Sequence, residues 1–304
     1  HGLGSFALVY PQYRLPADTS AGGFVHNDYL QLWIEIGLPG LALFVAVWLA
    51  LAFMFWRSRA RPAAAAFHIE VAALTAGLFA VALHGAVDFN FYQVPILLIV
   101  GAMLGRLHAL TTTAKSERAL QPRQWLTRPV YRIVVVGFVA IPMAYFIATA
   151  AGAYYYRQGL AFAEVGALAH ADRALAKAMR LSPSGDNVMI SRADLNRHAL
   201  REIPELPPQQ REQLYADALA WLADAEKQNP LRPLVFHTRG LLYAENPTFA
   251  GLGWRQEAVT SYLAAMRLDP RYYPSRVAYA ELLVQVGNAS LARTVLEEGM
   301  RHWY

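Results

Sequence analysis

The chain contains 304 residues, of which 56% are hydrophobic and only 16% charged, and it has no cysteine. A soluble domain usually carries about 25% charged residues, so part of this chain is expected to lie outside water. The lack of cysteine excludes disulfides, thiolate catalysis and cysteine-ligated metal. The net charge of +5 comes from two loops, 57–70 and 106–132, which together hold nine basic residues and two acids. This distribution indicates membrane topology and argues against a nucleic-acid-binding face.

Residues 1–35 form a polar segment that contains the start of FVHNDYLQLWIEIGLPGLALF, residues 24–44. Asn27 or Asp28 is a suitable cap for a helix whose apolar residues recur at helical spacing. The following GLPG is expected to loosen the backbone where that helix meets the first span. On composition alone, His26 and Asn27 are merely a cap and an interfacial residue. Because the chain begins at His1 within a glycine-rich stretch, we expect a fragment that lacks upstream sequence.

Four stretches contain no Asp, Glu, Lys or Arg, and a helix needs roughly 20 apolar residues to cross a bilayer core. These stretches are residues 36–56, 71–87, 89–105 and 133–156. Only Asp88 separates the middle two, which predicts a hairpin with a turn at VDFNFYQVP and a first arm lengthened by the alanines before Phe67. A buried helical hairpin of a soluble protein is the alternative. The prediction is an all-α fold with four transmembrane helices in 36–156.

The charges of the connecting segments predict the orientation of these spans. The loops 57–70 and 106–132 are basic and are therefore expected in the cytoplasm. Segment 1–35 holds one arginine against three acids, and Asp88 marks the hairpin tip. With four crossings of a bacterial inner membrane, these two acidic parts and the tail 157–304 are expected in the periplasm.

The tail is nearly neutral, with 17 basic and 16 acidic residues, and it contains a repeated pattern. Three alanines each precede a proline by 12 residues, with a bulky apolar residue four positions and a second alanine seven positions after the first. The three sets are Ala171, Leu175, Ala178 and Pro183; Ala218, Leu222, Ala225 and Pro230; and Ala258, Tyr262, Ala265 and Pro270. Small residues let paired helices approach closely, and the proline ends the second helix.

This pattern resembles the tetratricopeptide repeat. Gly159 and Phe162 match the first helix of repeat one, and Ala292 and Leu296 continue the register in a fourth helix pair. The proline spacing requires insertions, which 200–210 and 245–253 supply as loops. An α-solenoid of this kind offers a concave surface for a protein partner. The alternative is that the tail is only a spacer or a dimerisation element.

A second resemblance lies at the edge of the first span. His26 and Asn27, followed by nine residues, Gly37, two residues and Gly40, resemble the histidine motif of the O-antigen ligase/polymerase superfamily. The upstream GLGSFALVYPQYR and the hairpin HGAVDFNF resemble further parts of these proteins. The resemblance covers about residues 1–110 and implies a bacterial membrane glycosyltransferase, a class that includes O-antigen ligases, O-antigen polymerases and protein O-oligosaccharyltransferases.

The resemblance implies transfer of a glycan from an undecaprenyl-diphosphate carrier to an acceptor hydroxyl, without metal or other cofactor. His26 matches the catalytic base, since histidine is well tuned for proton transfer near neutral pH. An arginine would neutralise the departing diphosphate. Arg14 is the only cation in residues 1–35 and is the candidate for this role, against the alternative of an interfacial arginine beside Tyr10 and Tyr13.

Further substrate-binding candidates are Asn27 and Glu35, and the secondary candidates are Asp28 and Asp88. Asp88 lies four residues after His84, so the two side chains are expected to pair across one helical turn, which favours a structural role. The acceptor stays open between lipid A core, a growing glycan and a protein. The fragment on its own is expected to be inactive.

Two functional classes other than a glycosyltransferase are also compatible with a membrane anchor and a repeat tail. A membrane-anchored scaffold whose repeats recruit envelope proteins is the main alternative. A transporter fragment is disfavoured, because the spans contain almost no ionisable residues away from their ends. The sequence contains no nucleotide-binding glycine loop and no metal-ligand cluster that would predict a sugar-nucleotide donor or a metal.

Overall fold

The computed structural model describes residues 2, 4–14, 23–59, 63–113, 129–181 and 185–301. About 84% of the described residues are helical, and these residues contain no strand, which confirms the all-α prediction. Asp18, Arg61, Pro183 and most of the basic loop 106–132 lie outside the described residues. The chain divides into two compact units, residues 1–10 with 21–135, and residues 11–20 with 136–304.

The first unit contains a short helix α1 and three long apolar helices, of which α2 and α4 each pack on α3. The helices are α1 (Phe6–Val9), α2 (Asp28–Arg59), α3 (Ala65–His84) and α4 (Val94–Thr113), and a 3₁₀ turn, Asn90–Tyr92, lies in the α3–α4 loop. Helices α2, α3 and α4 are each long and apolar enough to cross a membrane.

The predicted hairpin is present, with different bounds. Helix α3 begins at Ala65, so the alanine run does lengthen the first arm, but it ends at His84. Helix α4 starts only at Val94 because residues 85–93 form an irregular connection around Asp88. The two arms are tied near their far ends by an ion pair between Arg106 and Glu70, with 2.6 Å between Nε and Oε1.

Apolar side chains join the three long helices into one core. Leu78 and Val71, seven residues apart on α3, are almost fully buried and lie on the same face of the helix. The other buried members of this cluster are Trp48, Leu51, Ala82, Val100 and Leu107. By contrast, Leu49, Phe53 and Leu98 are 63–70% exposed, as expected for side chains that face lipid.

The second unit contains the long helix α5 from Val136 onward and the helices of the tail. Helix α5 (Pro129–Glu164) is continuous over 36 residues and includes the charge-free stretch 133–156. It therefore has the length for a crossing, and this fourth span stays a prediction. The tail continues with α6 (Leu168–Leu181), α7 (Asp186–Glu202), α8 (Pro208–Gln228), α9 (Pro233–Glu245), α10 (Pro247–Ala250), α11 (Trp254–Leu268), α12 (Tyr273–Gln285) and α13 (Ala289–Met300).

The tail forms four helix pairs, as the repeat pattern predicts. The pairs are the end of α5 with α6, α7 with α8, α9 with α11, and α12 with α13. The alanines at all six repeat positions are 0% exposed, and Leu175, Leu222 and Tyr262 are at most 1% exposed. Small residues thus lie where helices approach and one large residue fills each gap.

Two details of the repeat prediction need correction. Residues 200–210 are not all loop, because α7 continues to Glu202 and α8 already begins at Pro208; residues 245–253 include the short helix α10. In the terminal pair, Ala292 is buried as expected but Leu296 is 42% exposed. No further helix of the described chain packs against α13. The side chain of Leu296 therefore has no gap between helices to fill and stays partly exposed.

Candidate functional site

A buried carboxylate connects three segments of the first unit. Glu35 on α2 is 2% exposed. Its oxygens accept hydrogen bonds from the N–H of Gly4 at 2.6 Å, the hydroxyl of Tyr92 at 2.7 Å, and the N–H of Phe6 and the Nε2 of Gln31 at 3.2 Å each. Hydrogen bonds to an ionised acceptor are the strong ones. Glu35 therefore joins the N-terminal segment, α2 and the α3–α4 loop.

Tyr92 is suited to remain the donor in this network. Burial, together with the hydrogen bond to Glu35, raises the pKa of the Tyr92 hydroxyl, so the phenol keeps its proton at neutral pH. The sequence made Glu35 a substrate-binding candidate, whereas the structure buries it. Because protein donors occupy its carboxylate, Glu35 is placed to position the site.

The start of α2 is fixed to the end of α3 by backbone contacts. The N–H of Asp28 donates to the carbonyl of Gly85 at 2.7 Å, and its Oδ2 accepts from the N–H of Phe91 at 3.3 Å. Asn27 acts as the N-cap, since its Oδ1 accepts from the N–H of Leu30 at 3.0 Å, and its Nδ2 donates to the carbonyl of Ala86 at 2.8 Å. Both residues therefore hold the loop that carries Asp88 beside residue 26.

His26 is the one described non-glycine residue with a positive φ, at 55°. That conformation is uncommon, and strained backbone clusters at functional sites. The imidazole is 65% exposed, so it is open to a ligand. The neighbouring Asn27 contacts hold the backbone in this geometry, which aims the side chain towards the α3–α4 loop.

Asp88 lies between two histidines. Its Oδ1 is 3.8 Å from Nδ1 of His26, and its Oδ2 is 3.5 Å from Nε2 of His84. Both distances exceed a direct hydrogen bond but allow attraction to a charged imidazole or a bridging water. The N–H of Phe89 donates to Oδ1 at 2.8 Å and orients the carboxylate. The expected His84–Asp88 pairing is present, and His26 joins it.

Aromatic rings form one side of this site. Phe24 and Phe89 stack with centroids 4.5 Å apart, and the ring of His26 meets Phe89 edge-on at 4.9 Å. Tyr92 lies 5.6 Å from Phe24. Sequence reasoning singled out His26 and Asp88 but missed Phe24, Phe89 and Tyr92. The aromatic run FNFY in an otherwise short turn was the available signal.

The two motif glycines have separate structural reasons. Gly37 has φ 72° and ψ −174°, which breaks α2 just after the buried Glu35 and before Pro39. This conformation is essentially restricted to glycine. Gly40 lies under the side chain of Ile36, so that a Cβ at position 40 would clash with it. The two glycines thus allow α2 to kink between its polar first turns and its apolar remainder.

Arg14 follows the 3₁₀ turn Tyr10–Tyr13 and groups with the second unit. The site described above is therefore built without it, and its role as diphosphate ligand stays a prediction. Among the described residues, no group of three or more His, Asp or Glu side chains is arranged to hold a metal ion.

The arrangement can carry out proton transfer. An exposed imidazole whose Nδ1 edge faces a carboxylate presents its other nitrogen, Nε2, to a ligand, in the manner of a base with an orienting acid. The buried Glu35 network joins α2, which begins two residues after His26, to the loop that carries Asp88.

A search of protein-family models found no match to this chain, and a search of curated proteins found no significant match.

Proposed function

We propose that this chain contributes the catalytic histidine of a membrane glycosyltransferase that moves a glycan from an undecaprenyl-diphosphate carrier to an acceptor hydroxyl. The observation that carries the proposal is the pairing of His26 with Asp88 at the end of an apolar helix bundle. The two residues are 62 positions apart in sequence, so only the folded hairpin places the carboxylate beside the base. The histidine motif supplies the reaction class.

The chemistry follows from the position of the imidazole. Nε2 of His26 takes the proton of the acceptor hydroxyl while its oxygen attacks the anomeric carbon of the donor sugar. The new C–O bond forms as the bond from that carbon to the carrier's diphosphate breaks, which inverts the anomeric configuration. Asp88 stabilises the imidazolium that results. Positive charge must balance the departing diphosphate, and Arg14 is the candidate in this chain.

The site belongs at the outer face of a bacterial inner membrane in this proposal. The three apolar helices support a membrane protein, and the basic loops favour a cytoplasmic position for the opposite ends of the helices. His26, Asp88 and the tail then face the periplasm. The tail's stacked helix pairs suit a protein acceptor or a partner in a complex, and lipid A core and a growing glycan remain alternatives.

The test is glycan transfer by the complete protein carrying His26→Ala. Removing a general base costs about 10²–10⁴-fold in rate, so transfer is expected to fall by that amount at an unchanged level of protein in the membrane. His68→Ala, at the opposite end of α3, is the matched control and should keep full transfer. Transfer retained in His26→Ala would exclude this base.

A membrane-anchored scaffold is the second candidate, and the four helix pairs of the tail favour it, because such repeats bind protein partners. It requires no reaction at His26. Deletion of the tail separates the two: a scaffold loses its whole function, whereas the transferase loses acceptor or partner binding and keeps a His26-dependent reaction.

A further inference from the structure

The first helix pair of the tail folds back along α5. Gly159 of α5 faces α6, where a Cβ on this glycine would lie 2.7 Å from the Leu175 side chain. Four residues earlier on α5, the ring of Tyr155 lies 5.2 Å from the Nζ of Lys177. The earlier residue on α5 thus contacts the later residue on α6, so the two helices are antiparallel. The C-terminal end of α6 therefore points back towards the apolar part of α5.

The level of the membrane surface along α5 can be read from its sequence. Residues 133–156 contain no charged residue, and they end in three tyrosines followed by Arg157. Tyrosine and arginine at the end of an apolar stretch are typical of a membrane interface. Lys177 is level with Tyr155, and Arg180 lies about 4.5 Å further along α6 in the direction of the apolar stretch. Both cations are thus at the predicted bilayer surface.

A cavity opens between these two helices at this level. It has a volume of about 570 Å³, with Tyr155 and Phe162 as aromatic walls and Arg173, Lys177 and Arg180 as its basic residues. The three cations are exposed, and Asp172 is the one acid among the described residues that line the cavity. The acid in its lining, Asp172, is already paired with Arg192 at 2.7 Å. The cavity therefore has an uncompensated positive charge.

The fold by itself does not account for this charge. The helix dipole favours a cation in the last turn of α6, which explains Arg180. It does not explain Arg173 in the middle of the helix, and like charges four residues apart, as in Arg173 and Lys177, destabilise an isolated helix. An anion bound in the cavity would attract both cations and offset their mutual repulsion.

We propose that the cavity bounded by Tyr155, Arg173, Lys177 and Arg180 binds the phosphate group of an anionic membrane lipid and fixes the tail against the bilayer. The proposal rests on the predicted crossing by α5 and is independent of the reaction at His26. Lysine and arginine beside a membrane are attracted to anionic headgroups, and tyrosine pairs well with the glycerol region next to the phosphate.

The test measures lipid retention by the full chain in detergent micelles. Phosphatidylglycerol and phosphatidylcholine are added in equal amounts, and native mass spectrometry counts the lipids bound to each protein molecule. Wild type is expected to retain phosphatidylglycerol selectively. Lys177→Gln with Arg180→Gln should lower its affinity for phosphatidylglycerol by about tenfold, because each cation near an anionic surface contributes a several-fold factor. Both side chains are exposed, so helix content should not change.

A matched control removes the same charge elsewhere. Lys227→Gln with Arg255→Gln acts at exposed positions on other helices and should leave selectivity intact. Equal retention in the two double variants would overturn the proposal. Displacement of phosphatidylglycerol by millimolar inorganic phosphate would overturn the lipid assignment and identify a site for soluble phosphate. Glycan transfer measured on the same variants is expected to persist, so loss of lipid binding and loss of the base at His26 are distinguishable.

Discussion

At the scale of single residues, the arrangement around Asp88 leads to a prediction about catalysis. Asp88→Asn keeps the shape and the hydrogen bond from the N–H of Phe89 but removes the charge that stabilises the His26 imidazolium. Because the two side chains are 65% and 40% exposed, solvent screens this charge to about 0.5–1 kcal/mol, so transfer by the complete protein should fall by about two- to fivefold. The rate of glycan transfer at saturating acceptor measures this.

The double variant with His26→Ala gives the corresponding control. If Asp88 acts through His26, adding Asp88→Asn to His26→Ala should cause no further loss. A further loss of the same size in the double variant would mean that Asp88 has a role of its own, for example as the base.

Only some of the side-chain contacts at this site could be predicted from the sequence. It paired Asp88 with His84 because four residues on a helix bring side chains together, and that contact is present. It could not pair Asp88 with His26, because a contact across 62 residues depends on how α2 packs on α3. For the same reason the burial of Glu35 could not be predicted, since the four donors that surround it come from three separate segments.

At the scale of helices, close packing in the repeats makes a prediction for Gly240. This glycine of α9 lies against Tyr262 of α11, and a Cβ would come within 2.6 Å of the ring's Cδ1. The ring is 1% exposed and has no room to move. Overpacking costs about 1–3 kcal/mol, partly offset by the roughly 1 kcal/mol gain in helix propensity. Gly240→Ala should therefore destabilise the tail by up to about 2 kcal/mol in urea unfolding.

Gly253→Ala provides the comparison, since a Cβ at this position meets open space and the backbone is not in the left-handed region. It should leave the urea midpoint almost unchanged. The measurement uses the tail, residues 153–304, which we expect to fold alone because its helix pairs bury their own cores. A midpoint for Gly240→Ala equal to that of Gly253→Ala would show that α9 and α11 can separate without cost.

The stability of the tail should also depend on pH through His237. Burial, aided by the charge of Arg197, lowers the pKa of the His237 imidazole from 6.5 to about 4, whereas Asp194 acts in the opposite direction. Its Nδ1 lies 3.2 Å from the hydroxyl of Ser275, and the rings of Tyr262 and Tyr272 flank it. A neutral His237 is therefore part of the folded contact between α9 and α12.

The sign of the effect follows from that pKa. Since the folded value lies below the unfolded one, the unfolded chain takes up the proton first as the pH falls. The contribution of His237 is complete above about pH 6.5 and is lost towards pH 4, with a loss of about 2 kcal/mol by pH 5. Urea unfolding of the tail at several pH values measures it. His237→Gln should flatten this slope, and an unchanged slope would assign the pH dependence to other groups.

The helices of the tail and their pairing were more predictable from the sequence than the side-chain contacts of the site. The alanine and proline spacing predicted which helices pair and which residues are buried, because each repeat is a local unit whose contacts join neighbouring helices. The ends of elements were less predictable. Asp88 was taken as a turn between two spans, but the bonds from the 85–93 loop to α2 delay the start of α4 until Val94. Such ends depend on tertiary contacts that periodicity does not contain.

At the scale of the molecule, charge-free length predicted the fold class, since a long apolar helix has few alternatives to a membrane. Orientation depends on the loops, and it makes a prediction that the lack of cysteine allows to be tested directly. Val87→Cys beside Asp88 and Leu252→Cys in the tail replace side chains that are 69% and 107% exposed. Both should react in intact cells with a thiol reagent that does not cross the inner membrane.

Arg59→Cys, at the other end of α2, is the internal control and should react only after the cells are permeabilised. This outcome requires that α3 crosses the membrane and that an even number of crossings separates position 87 from position 252. If position 87 reacts from outside but position 252 only from inside, only one of α4 and α5 crosses the membrane, and the tail lies opposite the His26 site. In that case neither an acceptor held by the repeats nor a lipid headgroup at Lys177 would lie on the face of the membrane where the transfer is proposed to occur.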